Sequence, residues 1–193
     1  MGRTAGRTPQ DTRRALLDAA ADVVRARGIH ASLDEIARFA GVSKGGLIYH
    51  FASKDELILE LARDQLAAFQ ASIDAALDPS DTAPGRLTRA YIRAALTPAQ
   101  DDVTLRESLA LVVQLMTLPA VAELARADAE QMDAALAADG LPPELLALVV
   151  AAADGMSTAP LWGASTQTPA HRRLAQQLVY LTRHPHLWET LTP

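Results

Sequence analysis

The chain has 193 residues and no cysteine, which excludes a disulfide framework, a thiolate zinc site and a cysteine nucleophile. Half of it is apolar but only 4% aromatic, and its wealth of Ala and Leu favours an all-helical fold, either one large domain or a small head on a larger body. The formal charge of −5 hides a split: residues 1–54 carry nine Lys or Arg against five Asp or Glu, and residues 55–193 nine against eighteen. A basic head on an acidic body suits a protein that presents one end to a polyanion.

Met1 to Arg14 is polar, carries Arg3, Arg7, Arg13 and Arg14, and lacks the apolar stretch of a secretory leader. Thr8-Pro9 predicts a helix start with proline at the first helical position, and Gly28 predicts its end; Leu16, Leu17, Ala20, Val23 and Val24 form the apolar stripe between them. Ser32 with Glu35 is a capping box for a short helix stopped by Gly41. Ser43 caps another short helix, and Ser53 with Glu56 predicts a further capping box, at the head of a long amphipathic helix reaching about Leu77. A loop rich in Asp, Pro and Gly follows at 78–85. Helices are then expected over Arg86–Leu96, Asp102 to about Thr117, Pro119 to Gly140, Pro142–Trp162 and Pro169–Thr182, with the tail from His184 unassigned. The pattern is all-α, about nine helices without a convincing strand. The longest strongly apolar run, Leu145–Ala153, is half the length of a membrane span, so a cytoplasmic protein with no membrane partner is expected.

Ser32 to Leu57 carries the functional signal. A helix-turn-helix needs a small residue where its helices cross, supplied by Ala37, and a turn residue that tolerates a left-handed backbone, supplied by Gly41. Leu33, Ile36, Ala40, Val42, Leu47 and Phe51 then form the inward set, leaving Ser43, Lys44, Tyr49 and His50 on the side where a major groove would lie. Ser43 caps a helix whose first amides can face phosphate. Lys44 can reach a guanine edge or a phosphate. Gly45 and Gly46 each cost about 1 kcal/mol relative to Ala in a helix, which makes sense where bulk would hold the backbone off the DNA. Tyr49 and His50 can donate to phosphate oxygens, and Lys54 can clamp the same strand. Both lysines of the chain lie in this segment.

Ala37 to Gly41, followed by Val42-Ser43-Lys44-Gly45-Gly46-Leu47-Ile48-Tyr49-His50-Phe51-Ala52-Ser53-Lys54-Asp55-Glu56-Leu57, resembles the N-terminal signature of the TetR family of transcriptional regulators, and the likeness extends upstream through Arg13–Gly28. Members usually carry Thr, Ser or Asn at Gly46 and an aromatic at Ile48; here Gly46 removes a contact and Ile48 is expected to pack inwards. The resemblance implies a three-helix helix-turn-helix domain over 1–54 and a helical ligand-binding and dimerisation domain over 55–193. It implies double-stranded DNA with a near-palindromic operator as partner, contacted by Ser32, Ser43, Lys44, Gly45, Gly46, Tyr49, His50 and Lys54. It also implies an unidentified small-molecule effector that releases a repressor from its operator through a swing of the long helix starting at Lys54.

The segments Pro142–Trp162 and Pro169–Thr182 are rich in Ala, Leu and Val on more than one face, and each such helix must cover something besides its own core. In family members that is the partner subunit, so a homodimer through these two helices is expected, a fully buried central helix being the alternative. Phe69, Tyr91, Val113, Met116, Met132, Met156 and Trp162 are candidate pocket walls, and Glu107 and Asp154 could meet a polar ligand group; ordinary core packing, or exposure, is the competing account of each. Zinc-binding His-x-x-x-His, Gly-x-Ser-x-Gly and a phosphate-binding Gly-Lys-Thr run are missing, and His184 with His186 reads as a surface tail. No catalytic residue, metal or cofactor is expected. The rival function is an all-α dimeric small-molecule-binding protein without a DNA target.

Overall fold

The computed structural model describes residues 8–97 and 101–190, so Arg3, Arg7 and the middle of the loop at 97–101 lie outside the described residues. Among these it holds ten α-helices and no strand: α1 (Pro9–Arg27), α2 (Leu33–Ala40), α3 (Lys44–His50), α4 (Lys54–Ala76), α5 (Arg86–Leu96), α6 (Asp102–Leu115), α7 (Pro119–Ala137), α8 (Pro143–Thr158), α9 (Pro169–Arg183) and α10 (Pro185–Glu189). The all-α expectation holds. The additional helix is α10, in the tail that the sequence leaves unassigned.

The helix starts follow local chemistry. Thr8 accepts from the Asp11 amide at 3.1 Å while the Asp11 carboxylate accepts from the Thr8 amide at 3.0 Å, and Ser32 and Glu35 exchange the same two bonds at 3.3 and 2.9 Å. At α4 the box is shifted by one residue. Ser53 Oγ accepts from the Glu56 amide at 3.1 Å, but the Glu56 carboxylate takes the amide of Ala52, at 2.7 Å, instead of that of Ser53. The helix expected to run unbroken to Trp162 stops at Thr158 and continues as a 3₁₀ turn, Ala159–Trp162. Pro160 has no amide to continue the α-helical ladder.

The chain folds as two compact units, one within Met1–Leu66 and Ala110–Ala125, the other within Ala67–Leu109 and Arg126–Pro193. The first unit is therefore larger than residues 1–54. Its core joins Leu16, Ala20, Val23 and Val24 of α1 to Ile36 and Ala37 of α2, Leu47 of α3, Phe51 and Leu57, Ile58 and Leu61 of α4, with Leu111 and Leu115 of α6 and Val121 of α7.

The second unit packs Ile92 and Leu96 of α5 against Leu145, Val149 and Ala153 of α8 and Leu178 of α9, with Trp188 of α10 on the margin. The start of α5 has no side-chain cap of its own, and Asp139 supplies one: its carboxylate accepts from the amides of Leu87 and Thr88 at 3.1 and 2.7 Å. Gly85 is required there twice over. Its φ is +84°, and a Cβ would stand 2.8 Å from Leu141 Cδ2. One turn on, the fully buried Arg89 guanidinium meets the buried Asp81 carboxylate through Nε and Nη2, at 2.7 and 2.8 Å, and donates to the carbonyls of Pro84 and Ala83. Arg183 adds a third bond to Asp81, at 2.9 Å. His171, also buried, donates from Nε2 to the Leu96 carbonyl at 3.1 Å and so closes the end of α5.

The two long helices differ in their outward faces. On α8, Leu145, Val149 and Ala153 turn inwards while Ala147, Leu148 and Ala151 are exposed, Leu148 by 41%. The stretch Pro143–Trp162 is long and apolar enough to cross a membrane, and only 22% of it is buried within this chain. On α9 the expectation of a second apolar face fails. Leu174, Ala175, Leu178, Val179 and Leu181 all pack on the unit's own core, and the outward positions are Arg172, Arg173, Gln176, Gln177 and Tyr180.

Hydrogen bonds from Arg89 hold the Asp81 carboxyl below its usual range against the opposing effect of burial. The contribution of Asp81 to stability is therefore complete above its unfolded value of about 4 and is lost as pH falls through the lower folded value. Asp81→Ala leaves a buried guanidinium without its counter-ion and is expected to destabilise by about 3–5 kcal/mol in urea denaturation at pH 7, and by progressively less as the titration is repeated at more acid pH.

Candidate functional site

α3 has seven residues, too few to be stable alone, so its position depends on what holds it. Gly41 ends α2 in the left-handed conformation at φ +72°, and the Val42 amide returns to the Ala37 carbonyl at 3.0 Å. Leu47 and Phe51, both wholly buried, pin the inner side, and Ala37 leaves room beside them. The third restraint is Arg13 of α1. Its Nη1 donates to the His50 carbonyl at the open end of α3 at 3.0 Å, its Nη2 pairs with Glu60 at 2.5 Å, and its guanidinium carbon lies 4.3 Å from the centre of the Phe51 ring. Hydrogen bonds from Arg63 and then Arg13 hold the Glu60 carboxyl below its usual range.

What remains faces water. Ser43, Lys44, Gly45 and Tyr49 are exposed, Tyr49 by 83%, while Gly46, His50 and Lys54 are half-buried. The Tyr49 and His50 rings meet edge to face with centres 5.2 Å apart. Ser43 Oγ accepts from the Gly46 amide at 3.0 Å, which makes it the expected cap. A Cβ at Gly46 would come within 3.3 Å of that hydroxyl, whereas one at Gly45 would meet nothing closer than 4.0 Å. Lys44 Nζ lies 2.8 Å from Asp34 Oδ2 in an exposed ion pair. Ser32 is absorbed in its capping box, where it lowers the Glu35 carboxyl, and that carboxylate also pairs with Arg27. Ile48, expected to pack inwards, is 45% exposed beside Tyr49, because Leu47 occupies the inward position one residue earlier.

In the second unit, Phe69 and Tyr91 meet edge to face, ring centres 5.8 Å apart, and Tyr91 Oη donates to Asp154 Oδ1 at 2.5 Å. Burial first, then Asp154 and Asp133, push the Tyr91 phenol well above its usual range. A groove of about 360 Å³ opens between α7 and α8, lined by Asp133 and Leu136 on one side and by Leu146, Val150 and Asp154 among others on the second. Of the other sequence candidates, Met156 packs on this unit's core and Met132 is half-buried, while Glu107 is exposed and Trp162 stands 87% exposed on the 3₁₀ turn. Val113 and Met116 belong to the first unit and are exposed by 54 and 42%. The structure thus brings together Phe69, Tyr91 and Asp154 from the candidate set, and adds Asp133.

The family described as bacterial regulatory proteins, tetR family, matches residues 16–61, and the one described as tetracyclin repressor-like, C-terminal domain, matches residues 85–183, half of the chain. The chain belongs to the TetR family. The transcriptional regulator RutR of Escherichia coli K12 is 37% identical over 90 residues, 46% of this chain and 42% of that protein. The transcriptional activator FasR of Mycolicibacterium smegmatis is 54% identical over 59 residues, 30% of this chain and 27% of that protein. These matches thus span less than half the length of either curated relative. The crystal structure of the multidrug binding protein EbrR complexed with malachite green superposes with a TM-score of 0.66 at 26% identity, covering 88% of this chain and 97% of that one.

Two working parts of this TetR-family head are missed by sequence reasoning. Asp34 is an ordinary first-turn acid until the fold sets it against Lys44, and Arg13 is one arginine among several until it reaches His50 across 37 positions. Its place on the rim of the α1 apolar stripe is the local signal that could have pointed to Arg13, since the buried Phe51 it covers is distant in the sequence. Arg13→Ala removes a carbonyl partner, an ion pair and a ring contact together. It is expected to lower stability by about 1–3 kcal/mol in chemical denaturation, with Arg13→Lys recovering less than half, since an ammonium cannot make both bonds while lying over the ring.

Proposed function

We propose that the chain is a homodimeric DNA-binding regulator of transcription, a cytoplasmic repressor released from a near-palindromic operator by a small molecule, with residues 1–54 as the DNA-reading head and 55–193 as the ligand-binding and dimerisation body. The observation that carries this reading is the two-sidedness of α3: Leu47 and the adjoining Phe51 are wholly buried while Ser43, Lys44 and Tyr49 stand outside the packing. Such a helix can enter a major groove without unpacking its own domain. In this reading Lys44 meets a base edge or phosphate, Tyr49, His50 and Lys54 meet the strand beside it, and the α3 backbone approaches closely at Gly45 and Gly46. Gly45 supports that approach, because a side chain there would meet open space within the protein and the helix forgoes its stabilisation all the same. Ser32 holds the entry of α2 beside the same strand. The step is binding alone and calls for no cofactor or catalytic residue.

The second copy packs against α8. Its outward face, Leu148 with Ala147, Ala151 and Gly155, is an apolar strip on a stretch left mostly unburied, and Asp154 within that stretch makes burial in lipid costly, by about 3 kcal/mol at the bilayer centre. Tyr180, Gln176, Gln177 and Arg173 of α9 supply its polar rim. Pairing places two heads about 34–36 Å apart, one turn of duplex. EbrR, described as a multidrug binding protein, supports small-molecule control of a body of this shape. Effector binding is transmitted through α4, which begins in the first compact unit and ends in the second.

Two experiments test this. Duplexes selected from a random pool define the operator. On that operator Lys44→Ala is expected to weaken binding and reduce the salt slope by about 1, while Asp34→Asn, which frees Lys44, strengthens it; a protein without a DNA target shows no salt-dependent binding to any duplex. Leu148→Glu is expected to give a folded monomer in sedimentation velocity and to cost operator affinity by at least about 100-fold, because each head alone loses the effective concentration of its twin.

A further inference from the structure

We infer that the groove between α7 and α8 takes an organic cation with an apolar body, a ligand class that rests on the proposed effector role of the second unit and makes it specific. Leu146, Val150 and Asp154 recur every four residues and so form one stripe of α8, which faces Leu136 and Asp133 of α7 across a space of about 360 Å³. That volume is at the lower end of the range for small-molecule sites, ~300–1,000 Å³. The walls are aliphatic, and the two ionised groups on them are both carboxylates; no Lys, Arg or His lines the groove. Among the described residues neither Asp133 nor Asp154 is in an ion pair. Asp154 has one donor, the phenol of Tyr91, whose ring carries Phe69 on its edge.

This combination discriminates by charge. An anion would meet two solvent-exposed carboxylates on a wall that carries no cationic donor. A neutral apolar guest would strip water from the carboxylates and return nothing. A cation with a hydrophobic body offsets both costs, its charge beside the acids and its body on Leu136, Leu146 and Val150; Tyr91 reaches the site only through its bond to Asp154. Ala147 and Ala151 line the groove and also belong to the proposed dimer strip, so the second copy borders the site, while Leu146, Val150 and Asp154 lie on a different stripe of α8 from Leu148 and Gly155.

The test is calorimetric titration of the full chain with tetraphenylphosphonium and with tetraphenylborate, which share a shape and differ in the sign of charge. The phosphonium is expected to bind at least about tenfold more tightly than the borate. Asp133→Asn and Asp154→Asn are each expected to weaken the phosphonium about fivefold and to narrow the gap between the two ions. Asp133 is exposed, and the carboxamide oxygen that Asp154→Asn introduces can still accept from the Tyr91 phenol, so both variants are expected to keep the thermal melt of the parent protein. Equal or preferential binding of the borate, no binding of the phosphonium, or phosphonium affinity indifferent to both substitutions overturns the assignment. Operator release is read separately. Aspartate-dependent binding that leaves DNA affinity unchanged keeps the cation site and removes its effector role; release by a neutral or anionic compound, with the phosphonium unbound, keeps the effector role and removes the cation site.

Discussion

The seating of α3 is the constraint on which the head depends. A seven-residue helix with two consecutive glycines has almost no stability of its own, so its orientation is set by Leu47 and Phe51 in the core and by the Arg13 guanidinium on its last carbonyl. The three bonds and contacts of Arg13 join α1, the end of α3 and the start of α4 at one planar group. Its fixed fork suits this position, since a carbonyl, a carboxylate and a ring face must be met at once. The exposed side of α3 is thereby held in place, and nothing among the described residues buries Ser43, Lys44 or Tyr49.

The second unit is organised by a different economy. Arg89 and Asp81 bury a charge pair that burial alone would penalise, and the arrangement persists because each guanidinium nitrogen has an acceptor: two carboxylate oxygens and two loop carbonyls receive it. A second loop, the one after α7, brings Asp139 onto the first amides of α5. Polar groups therefore fix the end of this unit from which α5 sets out, while Ile92, Leu145, Val149 and Leu178 fill its interior. The apolar strip left on α8 and the carboxylate-bearing groove beside it are what remains once these demands are met.

Much of this was legible along the chain because it is local. A hydroxyl and a carboxylate three residues apart favour a capping box, and Thr8 and Ser32 behave accordingly, while Ser43, with glycine three residues on, caps its helix alone. Ser53 shows the margin of such reasoning: the hydroxyl caps as expected, but the carboxylate of Glu56 selects an amide one residue away. Periodicity separated Leu47 from Tyr49 correctly and left Ile48 out of the inward set; it was the comparison with the family signature that made Ile48 a packing residue, and it is 45% exposed. It also gave α9 a second apolar face that the fold does not leave, because one sheath of Leu, Ala and Val was enough to cover its own core. The candidate pocket fared least well, since Met and aromatic residues at helical spacing look alike whether they line a cavity, fill a core or stand in water as Trp162 does.

The sequence by itself determined nine of the helices, the starts that carry a cap, the left-handed turn at Gly41 and the basic character of the head, since each rests on interactions within a few residues or on composition. Only the tertiary structure decided which arginine holds α3, which acid caps α5 and which carboxylate of the groove receives Tyr91. Those pairs are 37, 51 and 63 positions apart where a bond records them, and a contact across such a loop carries no local signature: any of several chemically equivalent side chains could have made it until packing excluded the rest.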